Sequence, residues 1–240
     1  MCIWACSAAG SASHSHCGGR RFESDQVHQM ASSFELAIFI TSMGDFSMDH
    51  RMFLSILSVA EKLKCTTRHC DTSSGRRESV AEHSWRLALM AMLLEEQFAH
   101  LNIEKVIKMC LIHDLGEAFT GDIATFYKTD ADTQAEDNAF SNWINTFPEP
   151  QRNSFRELLA EMNALETDEA KLYKALDKLE AVIQHNESDI DTWLPLEYDL
   201  QLTYGADEVK FSPYITALKS YIDDWTRMKI ETEGRNGRPK

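Results

Sequence analysis

An all-α domain is the fold class this sequence predicts, on three observations. Apolar residues recur at three- and four-residue spacing through most of the stretch from about residue 48 to 230. No alternating run of useful strand length interrupts them. The 43% hydrophobic content of the 240-residue chain is enough for a full core, and the length suits one domain with appendages.

The first expected helix covers residues 48–64, with Phe53, Leu54, Leu57 and Ala60 along one stripe. The second covers 79–98. Its Ser79 and Glu82 fit the S-x-x-E capping box, which satisfies the first free N–H groups of a helix, and His83, Leu87, Met90 and Leu94 share a row behind them. Over 103–115, Ile103, Val106, Ile107 and Cys110 recur on one face. Helices over 132–146 and 151–164 are joined by a turn that Pro148 and Pro150 bracket. A long helix over 168–186 carries Leu172, Leu176, Leu179 and Ile183 as its stripe, and helices over 192–203 and 212–228 complete the domain. Between the third and fourth helices, Gly116 and Gly121 bracket the turn that presents Glu117 and Asp122.

The ends read differently. Residues 1–47 are expected to be an N-terminal extension, largely disordered or poorly packed, because the stretch to about residue 33 is rich in Ser, Gly, Ala and His without an amphipathic period. The start from Met1 to Cys6 lacks the basic flank and length of a secretory signal, and the apolar run from Phe34 to Thr41 is far too short to span a membrane. The domain proper is expected over 48–230, with a polar tail over 231–240. Six cysteines without any C-x-x-C pair read as reduced thiols, in keeping with a cytoplasmic setting. The formal charge of −14 argues against non-specific binding to nucleic acid or to anionic membrane, both of which call for a basic surface.

The most informative residues are His113 and Asp114, which stand where the apolar face of the third helix should have continued. A carboxylate on a buried face costs several kcal/mol unless it is paired, hydrogen-bonded or bound to a cation, and the adjacent imidazole points to a metal ion. His83 also faces inward, in the first turns of its helix, where a pocket can open. Asp177 flanks the stripe of the 168–186 helix, although periodicity alone would not single it out.

Together His83, His113-Asp114 and Asp177 match the H…HD…D pattern of HD-domain metal-dependent phosphohydrolases. Within that superfamily the phrases Glu-Ser-Val-Ala-Glu-His-Ser around His83, His-Asp-Leu-Gly-Glu around His113 and Gly-Asp-Ile from Gly121 most resemble the 5′-deoxynucleotidase branch, over about Asp49 to Arg227. The resemblance implies an HD-domain helical bundle with a single metal site in a central cleft, formed by His83, His113, Asp114 and Asp177. No histidine lies between Asp114 and Asp177 to hold a second ion in that centre. Two neutral imidazoles and two carboxylates suit one divalent transition ion, Mn, Co, Fe, Ni or Zn, and disfavour an all-oxygen calcium site.

The resemblance also distributes roles. Glu117, three residues after Asp114, is the acidic residue that handles the water or a proton. Asp122 matches a position associated with the sugar hydroxyl and the catalytic network; an Asp that merely terminates a helix is the competing reading. Arg68, fifteen residues before His83, has the family spacing of the arginine that grips the phosphate, with Arg76 and Arg77 as competitors. Lys128, seven residues after Gly121, matches a basic position at the pocket rim. Better-known members place a tryptophan just after the gripping arginine. Here His69 and Cys70 follow, so strict choice of deoxyribose over ribose is not expected.

The function so implied is hydrolysis of (deoxy)nucleoside 5′-monophosphates to nucleoside and phosphate. Two alternatives stand beside it: an HD phosphohydrolase of another small phosphate ester, cyclic nucleotide or alarmone, and a non-catalytic nucleotide-binding module. The partner expected is a small nucleotide rather than nucleic acid or membrane, and the resemblance leaves room for a homodimer.

Overall fold

A computed structural model of the chain describes residues 48–234. Helix α1, His50–Glu61, starts at Asp49, whose side chain accepts from the Met52 N–H at 2.9 Å. A 3₁₀ turn, Lys62–Lys64, leads into a hairpin of β1, Thr67–Asp71, and β2, Arg77–Ser79. Then follow α2, Val80–Leu93; α3, Ile103–Ile112; the short α4, Glu117–Thr120; α5, Asp130–Ile144; and α6, Gln151–Ala164. Helix α7, Asp168–Glu187, is followed by the 3₁₀ turn Ile190–Thr192, by α8, Glu197–Thr203, by a further 3₁₀ turn, Glu208–Phe211, and by α9, Pro213–Thr232.

Side-chain caps set several of these starts. The expected box at Ser79 and Glu82 is present in both directions, Asn102 caps α3, Thr129 and Asp132 form a second box on α5, Thr167 caps α7, and Ser212 precedes Pro213 at the first turn of α9.

Helix α7 is the axis of the domain. It packs against α2, α3, α6 and α9, and Leu172, Leu176 and Leu179 along it are fully buried together with Leu87 of α2, Met109 of α3 and Ile215 of α9. Each such side chain contributes about 1.5–3 kcal/mol of burial. The stripes read from the periodicity of the second, third and sixth expected helices are therefore core faces.

Four features differ from the periodicity. First, the antiparallel hairpin was not expected. It is short and irregular: Thr67 pairs with Ser79 and Asp71 with Arg77, so β1 spends four steps where β2 spends two, and this bulge erases the alternation that marks a strand. Second, α3 stops at Ile112. His113 to Gly116 form a turn before α4, with Gly121 at φ +80° closing that helix, a conformation natural to glycine. Third, the 192–203 stretch is a 3₁₀ turn followed by α8, because Pro195 cannot continue a helix.

Fourth, the α1 stripe is not a core face among the described residues, since Phe53, Leu54 and Leu57 are exposed and Leu63 in the following turn is buried instead. The expectations for residues 1–47 lie outside the described residues. The helix of α9 runs on to Thr232, past the point where the polar tail was placed. No described helix is long and apolar enough to cross a membrane, and the described cysteines, Cys65, Cys70 and Cys110, are free thiols.

Candidate metal centre and its cleft

Three helices bring the H…HD…D residues together. His83 stands at the start of α2, His113 and Asp114 in the turn after α3, and Asp177 midway along α7. His83 Nε2 lies 3.3 Å from His113 Nε2 and 3.3 Å from Asp177 Oδ1, while Asp114 Oδ2 lies 2.9 Å from His113 Nε2 and 3.9 Å from His83 Nε2. Four ligand-type atoms thus face one another.

Both imidazoles are aimed from behind. His83 Nδ1 meets the carboxylate of Glu180, and His113 Nδ1 donates to the Cys110 carbonyl at 2.9 Å. With Nδ1 spent in this way, each ring presents Nε2 inward, the atom a metal takes once its proton is displaced. Burial and the Arg68 charge pull the His83 pKa down, but Glu180 and Asp177 outweigh them and raise it to about 9. On Asp177 the second oxygen accepts from Lys174 Nζ at 2.9 Å. Burial pushes the Asp177 carboxyl up, but Lys174 and the two histidines outweigh it and hold the group well below the usual carboxylate range. Asp114 is lowered likewise, burial being overcome by His113 and His83. Two ionised carboxylates and two imidazole Nε2 atoms fit a divalent cation in charge and in donor type.

Asp114 and Asp177 of this group line a cleft of about 320 Å³, the size class of small-molecule sites. Arg68 reaches it from β1, with Nε 3.1 Å from Glu78 and NH1 3.6 Å from Asp114. The bulge in β1 lets the adjacent residues Arg68 and His69 both line the cleft, where a regular strand would turn one of them away. Arg76 and Arg77 do not line it; they are exposed and paired with Glu82 and Asp71.

Glu117 and Asp122 are also on the cleft wall. Glu117 Oε2 is buried without a hydrogen-bond partner, and burial, with Asp114, Asp122 and Glu136 nearby, pushes this carboxyl up to about 10. Asp122 is also raised, by burial, against the pull of Arg68. Gly116 lets this wall close, because a Cβ there would meet Glu136 Cγ at 2.7 Å. Lys128 lines the cleft too, but its Nζ is held by Glu136 at 2.5 Å.

Sequence reasoning missed the outer groups. Glu180, Lys174, Glu78 and Glu136 each touch a residue of the centre or its cleft, and none was singled out. Glu180 and Lys174 carry a weak signal, standing three residues after and before Asp177 on one helix face. The cleft residues His185, Glu197 and Gln201 also went unread, and His69 was read only as a departure that bears on the choice of sugar.

Known proteins resemble this arrangement. A 5′-deoxynucleotidase HDDC2 of Homo sapiens is 32% identical over 154 residues, covering 62% of this chain and 72% of the relative. Another of that name from Dictyostelium discoideum is 32% identical over 145 residues, 56% of this chain and 76% of the relative. The crystal structure of a predicted metal-dependent phosphohydrolase from Magnetospirillum magnetotacticum superposes with a TM-score of 0.62 at 29% identity, over 73% of this chain and 94% of the other. The family model of the HD domain matches residues 60–219. That span takes in every helix that brings a residue to the cleft, and the chain belongs to the HD-domain phosphohydrolases, in their 5′-deoxynucleotidase-like branch.

Proposed function

We propose that this enzyme hydrolyses (deoxy)nucleoside 5′-monophosphates to nucleoside and orthophosphate at one divalent transition ion held by His83, His113, Asp114 and Asp177. The observation that carries this reading is the convergence of those four side chains, two of which, Asp114 and Asp177, line the same cleft as Arg68 and Glu117. Bound there, the ion supplies Lewis-acid stabilisation of a phosphate oxygen and a more acidic water.

The chain's own groups do the rest. Arg68, fixed through Nε by Glu78, offers its terminal N–H groups to two phosphate oxygens. Hydrolysis forms a bond from water oxygen to phosphorus and breaks the bond from phosphorus to O5′, so one proton must leave the water and one must reach O5′. Glu117 is the group for this traffic: it is close to Asp114, has a free oxygen in a dry wall, and has a pKa displaced towards neutrality and beyond. Asp122 faces the sugar hydroxyl, and Lys128 with its Glu136 partner closes the rim.

A cytoplasmic setting and a homodimer complete the proposal. Its test is orthophosphate release from a panel of ribo- and deoxyribonucleoside monophosphates, with and without Mn²⁺ or Co²⁺. Metal-stimulated release is expected from the wild type and none from Asp114→Ala, which should also lose its metal. Turnover and stoichiometric metal in Asp114→Ala would refute the assignment, and release from other phosphate esters alone would redirect it.

A further inference from the structure

We propose that His69, His185 and Glu197 form a second metal site, on the cleft wall away from the first, that takes a divalent transition ion. The three residues come from β1, the last turn of α7 and the first turn of α8, and all three line the cleft. One ligand atom of each lies within 4.8 Å of the other two.

The carboxylate is the pivot. Glu197 is buried, and its Oε2 accepts from the Leu194 N–H at 2.7 Å. Its Oε1 faces both imidazoles, 3.0 Å from His185 Nε2 and 3.2 Å from His69 Nε2. His185 Nδ1 lies 2.9 Å from the Ala181 carbonyl, which can only accept, so the proton of the neutral ring sits on Nδ1. Nε2 then faces a carboxylate oxygen, a contact that either a second ring proton or a metal cation between the two atoms satisfies, and metal titration separates the two. A ligating histidine is oriented in just this way, with the remote N–H given to a backbone carbonyl.

The rings are also held in place. Phe126 stands edge-on to His69 with centroids 5.3 Å apart, and Trp193 edge-on to His185 at 6.0 Å, while Trp193 Nε1 donates to the His185 carbonyl at 3.1 Å. Two imidazoles and one carboxylate are the ligand set of open sites that bind Zn, Fe or Co and leave positions for exogenous ligands. Here those positions face the cleft.

This site is separate from the first. The two share no residue, and His185 lies eight residues beyond Asp177 on α7, roughly 12 Å along the axis, too far for the 3.5–4 Å spacing of a two-metal centre.

The experiment is metal stoichiometry on the full chain, stripped with a chelator and titrated with Zn²⁺ or Co²⁺ by calorimetry, with elemental analysis after dialysis. Two equivalents per wild-type chain are expected. His69→Ala and His185→Ala should each keep one, with the affinity of the lost equivalent reduced at least tenfold; His113→Ala should also keep one, and His69→Ala combined with His113→Ala none. His69 is half-buried, so its variant carries the test if His185→Ala does not fold, and circular dichroism checks the fold of each. A single wild-type equivalent that His113→Ala abolishes and His69→Ala retains would overturn the proposal, leaving an imidazolium–carboxylate pair at Glu197. A single equivalent that His69→Ala abolishes and His113→Ala retains would instead overturn the first centre and keep this one.

Discussion

Glu180 offers the sharpest test of how the first metal centre is built. It is wholly buried, its carboxylate meets His83 Nδ1, and its other oxygen lies 3.4 Å from Arg86 Nε. Glu180→Gln keeps an acceptor for the His83 N–H but removes the charge that makes the ring a better donor to a cation. Losing such an outer partner costs about 10–100-fold in metal affinity, or roughly 1.4–2.7 kcal/mol. Glu180→Ala is harsher, because it strands the His83 N–H in a dry interior and takes one carboxylate from Arg86. Breaking a buried charged pair in this way costs about 3–5 kcal/mol, and at about 2–4 °C per kcal/mol for a chain of this size the melting temperature should fall by roughly 6–20 °C. Calorimetric titration of the metal-free proteins with Mn²⁺ or Co²⁺ reads the first effect, and thermal melts by circular dichroism read the second. Wild-type affinity in Glu180→Gln would refute the claim that Glu180 orients and charges His83; an unchanged melt in Glu180→Ala would show that the pair adds nothing to the fold.

Three further outcomes are expected. Arg68→Ala should lose a charge-assisted grip of about 1.5–3 kcal/mol, raising KM roughly 10–150-fold in phosphate-release kinetics, whereas Arg76→Ala, at an exposed pair outside the cleft, should change KM little. Glu117 makes metal-free stability depend on pH: between the unfolded carboxyl's pKa near 4.3 and about 10 in the fold, the folded chain binds the extra proton, so stability falls as pH rises across that window. Glu117→Gln removes this slope and, in chelator, should melt above wild type at pH 8 with the gap closing towards pH 5; parallel pH curves in scanning calorimetry would refute it. Gly116→Ala drives a Cβ to 2.7 Å from Glu136 Cγ, which should cost about 1–3 kcal/mol in urea melts, and a neutral result would mean that the α4 to α5 contact yields freely.

The helices that carry most of the core were legible because their apolar rows have one period, and the start of α2 because Ser79 and Glu82 form its capping box. His113 and Asp114 were legible for the opposite reason, since they break such a row. What stayed hidden has two physical causes. A charged residue such as Glu180 or Lys174 looks like solvated surface until a partner from another helix is known, and His83 lies 97 residues from Glu180 in sequence. The hairpin was hidden because its bulge erases the two-residue alternation. In α1 the period was read correctly, but an amphipathic stripe does not say what will cover it, and Phe53, Leu54 and Leu57 are exposed.

That bulge bears on where the gene can gain or lose codons. The tip of the hairpin, Ser73 to Gly75, is exposed, so extra residues there would lengthen a solvent-facing loop. Within β1 there is no such latitude. Removing one residue between Thr67 and Asp71 would draw the strand towards regular pairing and swing either Arg68 or His69 out of the cleft. A shortened β1 in a homologue would therefore mark a protein that has given up one end of its pocket, even with every histidine and aspartate of the first centre in place.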